Sequence, residues 1–163
     1  MVSYIKVKID NVLKGFNNKI PFMQPLYEAI TNSLEAHAQN IWITFSKEEL
    51  LDNETMKPKI VGFVVKDDGD GFNQKNRESF GEYLSSYKAE LGCKGIGRFT
   101  WLKVFNEIKI KSQLLDECVT IDFDKSYSDD KMKITKQKAD KIYTEISFKY
   151  VTDNYYNYKD KDE

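Results

Sequence analysis

The spacing of hydrophobic residues changes along the chain from a helical period to a strand-like one. A helix is predicted to begin near Pro25, where a proline's missing N–H costs nothing, and to run to about His37. Four apolar residues fall on one face of this helix at about 100° per residue: Met23, Leu26, Ile30 and Leu34. Three polar residues fall on the opposite side: Glu28, Asn32 and Glu35. The helix is therefore predicted to be amphipathic, and a solvated polar face is the simplest interpretation of the stripe taken alone.

Most of the later segments are rich in β-branched and aromatic residues, which is typical of strands. Strands are predicted over residues 4–9, 41–45, 60–66, 107–111, 118–123, 132–136 and 142–148, and helices over residues 74–84 and 99–105. Because short turns join the last four strands, we expect antiparallel connections between them. The order of elements predicts an α+β fold, a two-layer sandwich of a mostly antiparallel mixed sheet with helices on one face.

Size and composition set limits on the kind of protein this is. A chain of 163 residues is long enough for one domain with a sizeable core, and 40% of it is hydrophobic. The net charge of −1 gives no indication of a nucleic-acid or membrane partner. Cys93 and Cys118 are interpreted as free thiols of a reducing compartment. No stretch approaches the roughly 20 apolar residues that cross a bilayer, so we expect a soluble cytoplasmic protein without a membrane partner.

Three short motifs follow one another with a spacing that carries more information than any one of them. They are E-A-I-T-N-S-L-E-A at 28–36, D-D-G-D-G at 67–71 and G-C-K-G-I-G at 92–97. Together they resemble the N, G1 and G2 boxes of the GHKL (Bergerat-fold) ATPases: gyrase B, the heat-shock ninety chaperones, sensor histidine kinases and MutL. The resemblance covers about residues 21–148 and is closest to the MutL-like and chaperone-like branches. It implies an ATP-binding domain over 1–150, with 151–163 a charged tail or the start of a linker.

The resemblance assigns chemical roles to the polar stripe of the first helix. ATP hydrolysis needs a water molecule held in line with the γ-phosphate, and a carboxylate can accept its proton. By the resemblance, Glu28 is the general base and Asn32 binds Mg²⁺ through its amide oxygen. Glu35 stands where the MutL and gyrase branches have an aspartate, so it is either an outer contact or structural. His37, the only histidine, is predicted to be packed on the apolar face.

The second motif is expected to bind adenine. In the family, the aspartate corresponding to Asp67 accepts a hydrogen bond from the exocyclic amine, and guanine has an acceptor at that position. Gly69 and Gly71 allow the backbone to approach the base. Asp68 stands where many relatives have asparagine, and it is given no adenine contact. Thr144, in the late strand K-I-Y-T-E-I-S-F, resembles the family's threonine that supports adenine, often through water.

The third motif is expected to bind the phosphates, because successive glycine N–H groups and a helix N-terminus can face one anion. The predicted contacts are Gly92, Gly95 and Gly97. Lys94 and Arg98 would add charge, unless their side chains face solvent. In the family, residues 72–91 form a lid, from which Lys88 is predicted to reach a phosphate; an exposed loop lysine is the alternative. The chain has no Walker motif.

Three functions remain open at this stage. The first is an ATPase that uses ATP and Mg²⁺ to switch conformation, with ADP as product and a nucleotide-dependent homodimer in the full-length protein. The second is an ATP sensor without useful turnover. The third, the ATP-binding part of a histidine kinase, lacks a phospho-acceptor histidine before the pocket. In the family's ATPases, a following domain supplies a positive charge to the γ-phosphate. The resemblance therefore implies that this domain needs a downstream domain or a partner for full activity, and we expect slow hydrolysis by the domain alone. Association with DNA rests on analogy alone.

Overall fold

The computed structural model of the protein describes residues 9, 13–14, 20–48, 59–82 and 97–153. Within these residues the helices are α1 (Gln24–Glu35), α2 (Gln74–Glu82) and α3 (Gly97–Val104). The strands are β1 (Ile41–Glu48), β2 (Lys59–Asp67), β3 (Phe105–Gln113), β4 (Glu117–Phe123), β5 (Met132–Lys136) and β6 (Tyr143–Val151). A short 3-10 turn, Asp129–Lys131, precedes β5. Of the predicted strand over 4–9, only Ile9 is described, and it is helical and buried.

The six strands form one sheet in the order β1-β2-β6-β3-β4-β5, and every pairing among them is antiparallel. The predicted α+β fold class is therefore confirmed. The last strand, β6, lies between β2 and β3, so the sheet joins segments that are about 80 residues apart in sequence. This insertion places Thr144 directly opposite both Asp67 of β2 and Ser112 of β3.

One face of the central strands is buried by the helices, and the other carries mainly polar residues. Burial alternates along β3 and β6, as expected for strands with one covered face. The core between the sheet and the helices is dominated by aromatic side chains: Phe63, Phe105 and Phe148 of the strands and Trp101 of α3. The rings of Phe63 and Phe148 lie 4.5 Å apart, and those of Trp101 and Phe148 lie 5.1 Å apart at nearly a right angle. This core holds α1 and α3 against the sheet.

The predicted apolar face of α1 was partly wrong. Leu34 is 60% exposed, whereas Ala29 and Ser33 are buried with Leu26. Small side chains allow a helix to approach a sheet closely. The Ser33 hydroxyl can be buried because its single hydrogen has two acceptors within reach, the Asp67 carboxylate (2.9 Å) and the Ala29 carbonyl oxygen (3.1 Å). A prediction based on hydrophobicity alone places Leu34 in the core and leaves Ser33 outside it.

The prediction for His37 was also wrong, because α1 ends at Glu35. His37 has φ +61°, and its side chain is 79% exposed with Nδ1 2.7 Å from the Asp70 carboxylate. The N–H of Ala38 donates to the Ser33 carbonyl, and the N–H of His37 donates to the Leu34 carbonyl. This is the bond pattern of a left-handed helix cap. The cap turns the chain so that the Gly69–Asp70 segment can bind the end of α1.

Replacing His37 with glycine is expected to stabilise the fold by about 0.5–1 kcal/mol, because glycine adopts a left-handed conformation without the Cβ penalty. The exposed contact with Asp70 contributes little. Urea denaturation of the parent and H37G measures the difference. His37→Ala is the matched control, since it removes the imidazole and keeps the Cβ. If H37A gained as much stability as H37G, the imidazole rather than the backbone would be the cause.

Candidate functional site

The centre of the site is a buried carboxylate at the end of β2. Asp67 is 3% exposed, and it accepts hydrogen bonds from the Ser33 hydroxyl and the Gly69 N–H, both at 2.9 Å. Burial raises the pKa of the Asp67 carboxyl, and these two hydrogen bonds only partly oppose that effect. A carboxylate in this environment favours any further hydrogen-bond donor that approaches it.

Thr144 and Ser112 stand beside this carboxylate on the same face of the sheet. Thr144 is directly opposite Asp67 in the β2–β6 ladder and directly opposite Ser112 in the β3–β6 ladder. The oxygens of the Thr144 and Ser112 hydroxyls lie 3.0 Å apart, and both residues are buried. The Ser112 oxygen also accepts a hydrogen bond from the Phe72 N–H at 2.9 Å. The turn after Asp67 is thereby bound to the centre of the sheet.

Two glycines of this turn occupy positions that a side chain would obstruct. A Cβ on Gly69 would lie 2.6 Å from the Ala36 carbonyl oxygen, so the turn packs directly on the end of α1. Gly71 has φ +68°, and a Cβ there would lie 2.8 Å from the Ser112 hydroxyl oxygen. From the sequence, both glycines were predicted to let the backbone approach the base. In this geometry the atoms beside them belong to the protein, and the approach to a base stays a prediction.

Asp68 has a structural environment that differs from that of Asp67. One of its carboxylate oxygens accepts from the Gln39 and Asn40 N–H groups at 2.8 Å, and the other accepts from the Asn40 amide at 2.8 Å. The hydrogen bonds from Asn40 hold the pKa of the Asp68 carboxyl below its usual value. Asp68 therefore ties the connection between α1 and β1 to the turn. Two adjacent aspartates have opposite pKa shifts because one is desolvated and the other is held by donors.

The Glu28 carboxylate lies against the first residue of α3. It accepts a hydrogen bond from the Gln24 amide at 3.0 Å, and its oxygens occupy the space that a Cβ on Gly97 would need. Only glycine fits at position 97 while Glu28 takes this conformation. The carboxylate is thus placed at the positive end of a helix, between the N-box and G2 motifs.

Asn32 lies one helical turn after Glu28, and its side chain is exposed on the same flank of α1. Glu35 is exposed at the last position of the helix. In the described ranges no group of three His, Cys, Asp or Glu side chains is arranged to hold a metal ion. One amide oxygen fits an ion that retains water and phosphate ligands, as Mg²⁺ prefers. Such an ion would be bound mainly through the phosphates.

The structure describes only part of the predicted phosphate-binding region. Lys88, Gly92, Lys94 and Gly95 lie outside the described residues, as does Cys93. Arg98 is described, and it does not face solvent. Its guanidinium donates to the Phe80 carbonyl oxygen at 2.8 Å and stacks 4.0 Å from the centre of the Phe80 ring. Arg98 therefore joins the start of α3 to α2.

Two hydroxyl residues that surround the Asp67 carboxylate were not predicted from the sequence. Ser33 directly follows Asn32 in the first motif, and Ser112 follows Ile108 and Ile110 at alternate positions of β3. When the other inward residues of a strand are apolar, a serine at an inward position indicates a buried hydroxyl with a hydrogen-bond partner, because a buried hydroxyl needs one.

A groove of about 510 Å³ elsewhere on the sheet does not form part of this site. It is lined by charged residues of both signs, including Lys109, Asp122 and Lys131, and by none of the motif residues. Lys131 is paired with Asp124 at 3.0 Å. The groove therefore has the character of a solvated charged surface, and the buried polar groups around Asp67 are the better candidate.

Comparison with known proteins gives a family and a fold. The profile of the family described as "Histidine kinase-, DNA gyrase B-, and HSP90-like ATPase" matches residues 20–155. Among curated proteins, no sequence matches the chain. A solved structure titled as the N-terminal domain of a DNA repair protein has a TM-score of 0.54 at 18% identity, over 83% of this chain and 38% of that one.

A second solved structure is the 43K ATPase domain of Thermus thermophilus gyrase B in complex with an aminocoumarin. Its TM-score is 0.53 at 11% identity, over 78% of this chain and 33% of that one. At these identities the likeness concerns the fold. This chain spans 38% of the length of the first protein and 33% of the second. No helix in the described part of the chain is long and apolar enough to cross a bilayer.

Proposed function

Because the chain belongs to the histidine kinase-, DNA gyrase B- and HSP90-like ATPase family, we propose that it binds Mg²⁺-ATP and hydrolyses it slowly. The observation that carries the proposal is the buried Asp67 carboxylate, opposite Thr144 and at the end of α1. The base would bind at this carboxylate, and the phosphates would lie toward the start of α3. ADP, the product, would occupy the same pocket.

Adenine recognition follows from the hydrogen-bonding state of Asp67. Its two oxygens already accept from Ser33 and Gly69, and each can accept one more hydrogen bond. The exocyclic amine of adenine is a donor and satisfies that capacity. Guanine presents a carbonyl oxygen at the equivalent position, and two acceptors facing each other in a buried site are unfavourable. The site is therefore selective for adenine nucleotides.

Catalysis is assigned to the flank of α1 that faces α3. Glu28 would accept the proton of the attacking water, and Asn32 would contribute an amide oxygen to the metal. The bound Mg²⁺ would neutralise phosphate charge. The Glu28 carboxylate lies against Gly97, so this flank of α1 holds it at the N-terminus of α3, toward which the phosphates would lie. The Arg98 guanidinium donates to the Phe80 carbonyl oxygen, so we assign it no phosphate contact.

Two broader parts of the proposal come from the sequence. ATP binding is proposed to close the segment between the second and third motifs over the nucleotide, and to switch the conformation of a larger protein. A nucleotide-dependent homodimer would be one readout of that switch, and DNA association is proposed by analogy only. An ATP sensor without turnover is the alternative function, and a histidine kinase is the less favoured one.

Calorimetric titration of the chain with ATP and GTP in the presence of Mg²⁺ tests the proposal. We expect ATP and ADP to bind and GTP to bind at least about tenfold more weakly, since one unpaired buried polar group costs about 1–3 kcal/mol. Equal affinity for ATP and GTP would contradict the assignment of Asp67. Absence of binding to any adenine nucleotide would contradict the proposed function as a whole.

A further inference from the structure

Ser112 has no exposed surface, and its hydroxyl connects two parts of the adenine end. Its oxygen accepts from the Phe72 N–H at 2.9 Å and lies 3.0 Å from the Thr144 hydroxyl oxygen. Gly71 leaves the space beside it, because a Cβ there would come within 2.8 Å of the same oxygen. The chain of contacts therefore runs from a backbone N–H through two side-chain hydroxyls.

The direction of this series of hydrogen bonds is determined by its first donor, the Phe72 N–H. A backbone N–H can only donate, so Ser112 is the acceptor of the Phe72 bond. The hydrogen of the Ser112 hydroxyl then needs an acceptor, and within the described residues the one at hydrogen-bond distance is the Thr144 oxygen. The opposite direction, from Thr144 to Ser112, would leave a hydrogen of the fully buried Ser112 unpaired, which is unfavourable.

Thr144 therefore accepts from Ser112, and its own hydrogen is available to a group in the pocket. Apart from the contact with Ser112, the Thr144 hydroxyl makes no hydrogen bond to another described residue. Beside it, Asp67 offers an acceptor from the opposite strand. An acceptor and a donor side by side match the amine and N1 of adenine. A 6-oxopurine has an acceptor, its carbonyl oxygen, where adenine has the amine, and a donor, N1–H, where adenine has an acceptor. The same pair of protein groups therefore disfavours a 6-oxopurine.

We propose that Ser112 is a specificity-determining positioning residue: it holds the Thr144 hydroxyl as a donor toward N1 of the purine, directly or through one water. The inference rests on the proposed function, because it concerns the same adenine site. Ser112 itself touches no nucleotide. Without the Ser112 hydroxyl, Thr144 is free to rotate and to accept from the N1–H of a 6-oxopurine.

The test compares the affinities of the chain for ATP and inosine triphosphate, which differ only at the 6-position and N1. In Ser112→Ala we expect the ATP-to-ITP affinity ratio to fall about three- to tenfold, the worth of one hydrogen bond. In Thr144→Val the ratio falls as well, because the donor is lost. Adding S112A to T144V should change the ratio no further, since Ser112 acts through Thr144.

Thr152→Val is the matched control. Thr152 is also buried, and its hydroxyl donates to the Lys103 carbonyl at 2.8 Å beyond the opposite end of β6, so T152V should keep the parental ratio. A second measurement needs no substitution: the parent should bind 1-deaza-ATP, which lacks the N1 acceptor, about three- to tenfold more weakly than ATP.

Three results would overturn the inference. The first is that S112A weakens ATP and ITP binding in equal proportion, as the loss of a merely structural residue would. The second is that the effects of S112A and T144V on the ratio add, and the third is that 1-deaza-ATP binds as tightly as ATP. In each case the parent still binds ATP, and the proposed function stands. If the parent bound neither ATP nor ITP, both the proposed function and this inference would be wrong.

Discussion

Replacing Glu28 with glutamine is expected to slow ATP hydrolysis by about 10²–10⁴-fold while ATP binding remains intact. This range corresponds to roughly 3–5 kcal/mol of activation free energy. Glutamine keeps the shape that fits against Gly97 and retains a carbonyl oxygen for the Gln24 amide. It cannot accept the proton of water at neutral pH. Removal of a negative charge near the phosphates leaves affinity unchanged or slightly higher.

A single-turnover assay, with the chain in excess over labelled ATP, measures this effect even when hydrolysis is slow. Glu35→Gln is the matched control, because Glu35 lies two turns further along the same helix and is exposed. E35Q should hydrolyse ATP at nearly the parental rate. If E28Q also kept the parental rate, Glu28 would not be the base, and the ATP-sensing function would replace the hydrolase. Equal losses in both variants would indicate a general charge effect.

Much of the sheet could be predicted from the sequence, because β-branched and aromatic runs identify strands locally. The predicted strands over 60–66 and 118–123 agree with β2 and β4 to within one residue at each end. The position of β6 between β2 and β3 could not be predicted in this way. Strand order depends on pairings between distant segments, and those are determined by how the whole hydrophobic face is covered rather than by local propensity.

Asp67 was predicted from its motif to accept a hydrogen bond from adenine. The structure buries this residue, and the contact with adenine stays a prediction. The hydroxyl partners Ser33 and Ser112 were missed, since serine is common on surfaces and only its partners reveal a buried role. His37 was misplaced for a different reason. A helical wheel continues past the end of the helix, but the backbone enters a left-handed conformation there and points the side chain to solvent.

Replacing Asp67 with asparagine is expected to lower ATP affinity about ten- to hundredfold, because the buried amine of adenine then faces a poorer partner. The fold should tolerate the change. The new amide oxygen can accept from the Gly69 N–H, and the amide nitrogen can donate to the Ser33 oxygen, whose hydrogen is bonded to the Ala29 carbonyl. Calorimetric titration of D67N and the parent with ATP measures the loss.

The pH dependence of stability gives a second measurement. The folded-state pKa of Asp67 is raised by burial, so the folded chain holds this proton more tightly than the unfolded chain. The stability that Asp67 contributes is therefore fully present below its unfolded pKa of about 4 and is lost as the pH rises through the folded pKa. D67N removes that loss, and we expect it to be at least as stable as the parent at neutral pH in urea denaturation.

Asp68→Asn is the same chemical change at the next residue. We expect opposite effects on the two measured quantities, the stability at neutral pH and the affinity for ATP. The pKa of Asp68 is lowered, so its contribution is present above the unfolded pKa and lost as the pH falls through the folded pKa. In D68N, a side-chain nitrogen replaces the oxygen that accepts from the Asn40 amide, and a nitrogen of this kind cannot accept. D68N should therefore be less stable to unfolding at neutral pH. Its ATP affinity should remain parental, since the carboxylate binds Gln39 and Asn40 rather than the pocket. If D68N lost as much ATP affinity as D67N, the loss would come from disturbance of the turn, and Asp67 would not be the adenine acceptor.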